Sequence, residues 1–217
     1  MVAIDQGSAL PQDGLFHISR LRGWAIIASV TALVGIGGFA VRGFSENGLR
    51  LGSELAWRFT CFVFFAAIIA GPLARLIPSQ TLHRICEQRR QLIWGFCASF
   101  GVYLASVLVP NLLAHRDDLT AGMTTFVMFG AGLIVIIGYT ASRQAADLLG
   151  ETARRTILVV GLSTFWLAYA LTGLAYISGP HRPDAFYGFS LSLMIAALLL
   201  RFADRFAANI RSHGRPA

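Results

Sequence analysis

The chain has 217 residues, of which 55% are hydrophobic and only 13% charged, with a mean hydropathy of +0.62. A soluble domain of this length carries about 25% charged residues, so the composition is that of an integral membrane protein. The net charge of +7 does not point to nucleic acid, because the basic residues sit mostly at the ends of apolar spans rather than on a basic soluble domain.

Residues 1–23 are polar, with Asp5, Asp13, Arg20 and Arg22, and read as a cytoplasmic N-terminal segment. A first span follows at 24–41. Its apolar core is longer than that of a signal peptide and no small-x-small site follows it, so it reads as retained. Gly35, Gly37 and Gly38 near its outer end allow close helix packing. Residues 42–54 form a short loop containing Arg50. The second span, 55–76, has Arg58 in its first turn and Gly71-Pro72 near its far end, where the proline can kink the helix. A polar loop at 75–88 carries Pro78, His83, Arg84 and Glu87. The third span, 91–114, opens after Arg89-Arg90 and ends with Pro110-Asn111 and the polar cluster His115-Arg116-Asp117-Asp118.

The fourth span, 121–141, carries Gly130, Gly132 and Gly138, and 143–155 is a connection holding a short helix with Asp147, Glu151 and Arg154. The fifth span covers 156–178, and a tight turn through Gly179-Pro180-His181-Arg182-Pro183-Asp184 leads into the sixth, 186–200. The membrane domain so defined runs over 24–203. In the basic tail, 204–217, and just before it, Phe202, Phe206 and Ile210 recur every four residues among Arg201, Asp204, Arg205 and Arg211. That spacing predicts a helix emerging along the membrane surface.

The expected fold is therefore all-α, a bundle of six transmembrane helices with both termini on one side. Thirteen of the eighteen arginines fall on that side, and Arg42, Arg50, Arg58, Arg116 and Arg182 on the other. The positive-inside rule then places both termini in the cytoplasm. There is no lysine, so a Schiff base or lysine general base is excluded. Cys61, Cys86 and Cys97 form neither a C-x-x-C pair nor an even extracellular set, and read as small apolar side chains. Trp24, Trp57 and Trp94 at span starts, and Tyr139 and Tyr176 nearer span ends, read as interface anchors.

Several short motifs resemble the ferric-reductase-like transmembrane domain. They are Ala56-Trp57 at the entry to span two, Gly71-Pro72-Leu73-Ala74-Arg75 at its exit, and Arg89-Arg90-x-Leu92 at the start of span three. Thr140-Ala141-Ser142-Arg143, with Leu149-Gly150 and Arg154-Arg155 after it, adds to the likeness. The nearest variety is the haem-binding membrane subunit that partners bacterial periplasmic methionine sulfoxide reductase. The resemblance implies a bacterial inner-membrane location and b-type haem held between histidines on spans three and five. Carried over by position, these ligands fall on Tyr103, on Thr156 or Ile157, and on Tyr169 or Ala170, none of them histidine. His17, His83, His115, His181 and His213 all read as loop or tail residues. The expectation is a protein without haem or other cofactor.

His115 and His181 are weak metal candidates, since both belong to outer turns near Asp117, Asp118 and Asp184. Solvated loop residues are the commoner outcome of such a pattern. No Walker motif, Ser-His-Asp order or H-E-x-x-H is present, and no carboxylate lies at a span centre. Nothing catalytic stands out. Two functions remain: a haem-free structural, assembly or interaction subunit, and an electron-transfer subunit binding haem or quinone through substitute ligands. A small transporter fits less well, because no span centre is charged. The expected partners are membrane lipids and other membrane subunits or further copies of the chain, without nucleic acid.

Overall fold

The structure, a computed structural model, describes residues 13–43, 45–77, 79–113, 121–179 and 184–213. All elements among them are α-helices: α1 (Asp13–Arg42), α2 (Glu46–Leu76), α3 (Gln80–Glu87), α4 (Arg89–Leu113), α5 (Ala121–Thr140), α6 (Arg143–Ser178) and α7 (Ala185–His213). Five of them contain stretches long and apolar enough to cross a membrane: Gly23–Arg42, Glu46–Leu76, Arg89–Val109, Asp147–Ser178 and Ala185–Ala207. A sixth apolar stretch, Thr124–Thr140 in α5, is shorter. Helices dominate for a plain reason: hydrocarbon offers no partner to a backbone N–H or C=O, so each segment must satisfy its own.

Helices α2, α4, α5, α6 and α7 pack in that order into a closed ring, and α1 lies outside it against α2 and α4. α2 is the central element: half of its apolar window is buried, against 17% for α1. Backbone proximity brings α1 onto α2. A Cβ on Gly38 would stand 2.6 Å from the Gly52 Cα, and one on Gly52 would collide with the Phe39 ring. Polar contacts fasten the bundle at both ends. Arg58 of α2 bonds Glu54 at 2.6 Å and also Asp184, just before α7, while Arg75 of α2 holds Asp204 of α7 in a two-pronged pair at 2.6–3.1 Å. In the middle, Trp166 Nε1 of α6 donates to the Met194 carbonyl of α7 at 2.9 Å.

The loop expected at 42–54 shrinks to Gly43–Ser45, because Ser45 caps α2 by accepting from the Gly48 N–H at 3.3 Å. Helix then extends through Glu54, with Gly48 and Gly52 supplying the smooth face that α1 needs. Pro72 does not end α2, which continues to Leu76. The loop expected at 75–88 contains α3, which carries Cys86 and His83. His17 and His213 likewise lie on α1 and α7 rather than in loops, although all three histidines fall outside the candidate spans. The connection at 143–155 is helical from Ser142, whose Oγ accepts from the Ala145 N–H at 3.1 Å. It joins α6 through a kink at Gly150 with φ 72° and ψ 156°. That conformation is essentially restricted to glycine.

Candidate functional site

The interior of the five-helix ring is packed with aromatic side chains. Phe64 of α2, Phe96 and Phe100 of α4, and Phe165 and Tyr169 of α6 are all buried, with ring centroids between 4.8 and 6.2 Å apart. α4 and α6 meet mainly through these rings, which keep their backbones apart. Each pair adds roughly 0.5–1.5 kcal/mol beyond its buried area, so the cluster contributes substantially to bundle stability.

At its outer edge the cluster brings two of the sequence-predicted positions together. Trp57 stacks on Tyr169 with centroids 4.5 Å apart and planes at 29°, and it lies 5.0 Å from the Tyr103 ring. Trp57 therefore faces the bundle interior rather than projecting outward as the interface anchor expected from its place in the sequence. With α2 beginning at Glu46, it stands eleven residues into the helix, about 17 Å from its start, and turns inward. The third position, Thr156, joins nothing here. It is exposed, thirteen residues or roughly 20 Å along α6 from Tyr169, and its hydroxyl donates to the Thr152 carbonyl at 3.0 Å. Of the alternative positions, Ile157 is half-buried near Thr156, and Ala170 packs partly buried against the core.

Beyond Trp57 the ring opens into a cavity of about 270 Å³. Its walls are Arg50, Ser53, Glu54 and Trp57 of α2, Tyr103 of α4, Phe126 of α5, Thr172 and Tyr176 of α6, and Tyr187 of α7. Tyr176, read as an interface anchor, stacks face to face on Tyr187 at 4.0 Å and 4°. One polar atom in the aromatic region is anomalous: the Tyr169 hydroxyl is fully buried and has no hydrogen-bond partner among the described residues. Buried hydroxyls are normally paired, because an orphaned one costs about 1–3 kcal/mol.

These residues do not fit an axially ligated b-haem. No imidazole lies in any candidate span, and the rings of Trp57, Tyr103 and Tyr169 fill the space between α2, α4 and α6. Among the described residues no group of three or more His, Cys, Asp or Glu side chains is placed to hold a metal; His115 and His181 lie outside those residues. Cys61 and Cys97 are buried and free, and the Cys61 thiol contacts the Ser190 hydroxyl at 3.1 Å. Comparison with protein-family models, with curated proteins and with solved structures gives no match.

Sequence reasoning missed the aromatic core, although its signal is present. Phe96 and Phe100, and again Phe165 and Tyr169, are spaced by four and so share one helix face. The ion pairs Arg58–Asp184 and Arg75–Asp204 left no such trace, since each joins residues more than 120 positions apart.

Proposed function

We propose that this chain is a multi-pass protein of a bacterial inner membrane with a ferric-reductase-like layout, in which aromatic side chains occupy the interior in place of haem. It acts as a structural, assembly or interaction subunit of a membrane complex. On this reading α5 is a sixth crossing and both termini are cytoplasmic. The supporting observation is the Tyr103–Trp57–Tyr169 assembly: two positions of the family's ligands carry phenols, and an indole stands between them. A neutral phenol is a weak iron ligand, and a phenolate buried in hydrocarbon needs a cation beside it.

The electron-transfer reading draws on a different observation. Arg50 and Glu54 line the same cavity as Tyr103, so charged side chains stand at the cavity mouth. A pyridine haemochrome assay on protein made with ample haem separates the two. The structural reading expects no stoichiometric haem; about one haem per chain, lost on Tyr103→Phe, would establish the alternative. Orientation is checked separately by a periplasm-active reporter fused after Ala217, which should be silent.

A further inference from the structure

At the end of the bundle opposite the cavity, arginines from four helices converge. Arg75 ends α2, Arg89 opens α4, Arg155 follows the kink in α6, and Arg201 and Arg205 lie on α7. Arg75 and Arg155 are within repulsive electrostatic reach of Arg89, and Arg89 and Arg205 within that of Arg201. Two described carboxylates reach the group: Asp204, almost fully buried, has both oxygens taken by Arg75, and exposed Glu151, bonded to Arg154, lies within electrostatic reach of Arg155. The Arg89 guanidinium lies over Gly71, where a Cβ would come within 3.4 Å of Nη1, and its Nε is buried without a hydrogen-bond partner among the described residues. Arg201 is half-buried, six residues or about 9 Å before the end of the apolar stretch Ala185–Ala207.

Guanidinium groups that repel one another at a membrane boundary, with a buried donor left unpaired among the described residues, are stabilised by an anion that neutralises them. We propose that this crevice is a binding site for a phosphate oxyanion, with Arg89 and Arg201 as its principal donors. The planar fork of arginine matches two phosphate oxygens at once, and basic crevices between transmembrane helices at this depth suit anionic headgroups. The same chemistry serves an anionic phospholipid headgroup, whose phosphate, unlike that of phosphatidylcholine, has no cationic group beside it, or free phosphate.

The test uses the full-length protein in neutral detergent, titrated with phosphatidylglycerol, phosphatidylcholine or inorganic phosphate, with binding and thermal unfolding as readouts. Wild type should be stabilised saturably by phosphatidylglycerol and not by phosphatidylcholine. Arg89→Gln and Arg201→Gln should each weaken that binding at least about tenfold, the loss of one charge-assisted contact, whereas Arg42→Gln at the far end of α1 should not. Competition by inorganic phosphate at comparable concentration would identify free phosphate as the ligand; its failure to compete would identify the lipid. Without any anion, Arg201→Gln should unfold at a higher temperature than wild type, because it relieves repulsion. Equal saturable stabilisation by both lipids, no response to either phosphatidylglycerol or inorganic phosphate, unchanged affinity in both variants, or a lower unfolding temperature for anion-free Arg201→Gln would overturn the site.

Discussion

The Trp57 indole lies on the Tyr169 ring at 4.5 Å, joining α2 to α6 across the interior of the bundle. This contact places Tyr169 under an apolar lid, and its buried hydroxyl has no partner among the described residues. Tyr169→Phe keeps the ring and removes the orphaned group, so it should be neutral or stabilising by about 1 kcal/mol. Tyr169→Ala removes the ring and should cost about 3–5 kcal/mol. Equilibrium unfolding in mixed detergent, followed by tryptophan fluorescence, measures both. A marked loss on Tyr169→Phe would reveal a partner for the hydroxyl and a role beyond packing.

The α1–α2 contact makes a paired prediction at adjacent glycines. A methyl on Gly38 meets the Gly52 backbone at 2.6–2.8 Å, whereas one on Gly37 meets nothing within 4 Å. Gly38→Ala should therefore destabilise by about 1–3 kcal/mol through overpacking. Gly37→Ala should be neutral or gain up to about 1 kcal/mol from helix propensity. Equal effects at both positions would mean that α1 does not pack against α2 through this face.

A buried chain of hydroxyls links three helices. Ser99 of α4 lies 2.8 Å from both Thr31 of α1 and Thr60 of α2, and each threonine also reaches the carbonyl four residues before it, Ile27 or Ala56, at 2.8 Å. Three hydroxyl protons must serve four contacts, so one contact is always without a proton. Ser99→Ala leaves both threonines their carbonyl partners and should cost only about 0.6–1.7 kcal/mol, the range for interhelical hydrogen bonds in membranes. Ser99→Leu, forced between α1 and α4, should cost more than that. Both follow from unfolding measurements on the purified variants.

Gly150 supplies the kink in α6 with a conformation closed to other residues. Gly150→Ala should cost about 1–3 kcal/mol or straighten the helix. Straightening would redirect the segment from Arg143 to Leu149, which a spin-label distance between that segment and α3 would detect. An unchanged stability together with an unchanged distance would refute the kink.

The sequence alone determined the class of protein. Long uncharged runs bounded by arginine admit one backbone solution in a bilayer, so helical membrane segments near residues 24–41, 55–76, 91–114, 156–178 and 186–200 were legible from composition. The small-residue face of α1 was legible too, although which glycine makes contact was not: Gly38 does and Gly37 does not. Local chemistry that competes with hydropathy was harder to read. The Ser45 cap and the Gly48–Gly52 face turn a polar stretch into helix, and this shift carries Trp57 from the expected interface into the interior. The ring order of the helices, the meeting of Tyr103 and Tyr169 around Trp57, and the convergence of Arg75, Arg89 and Arg201 were decided only in three dimensions. Hydropathy and periodicity specify which face of a helix is apolar, but the partner of that face is chosen by the fit of rings, glycines and ion pairs from distant parts of the chain.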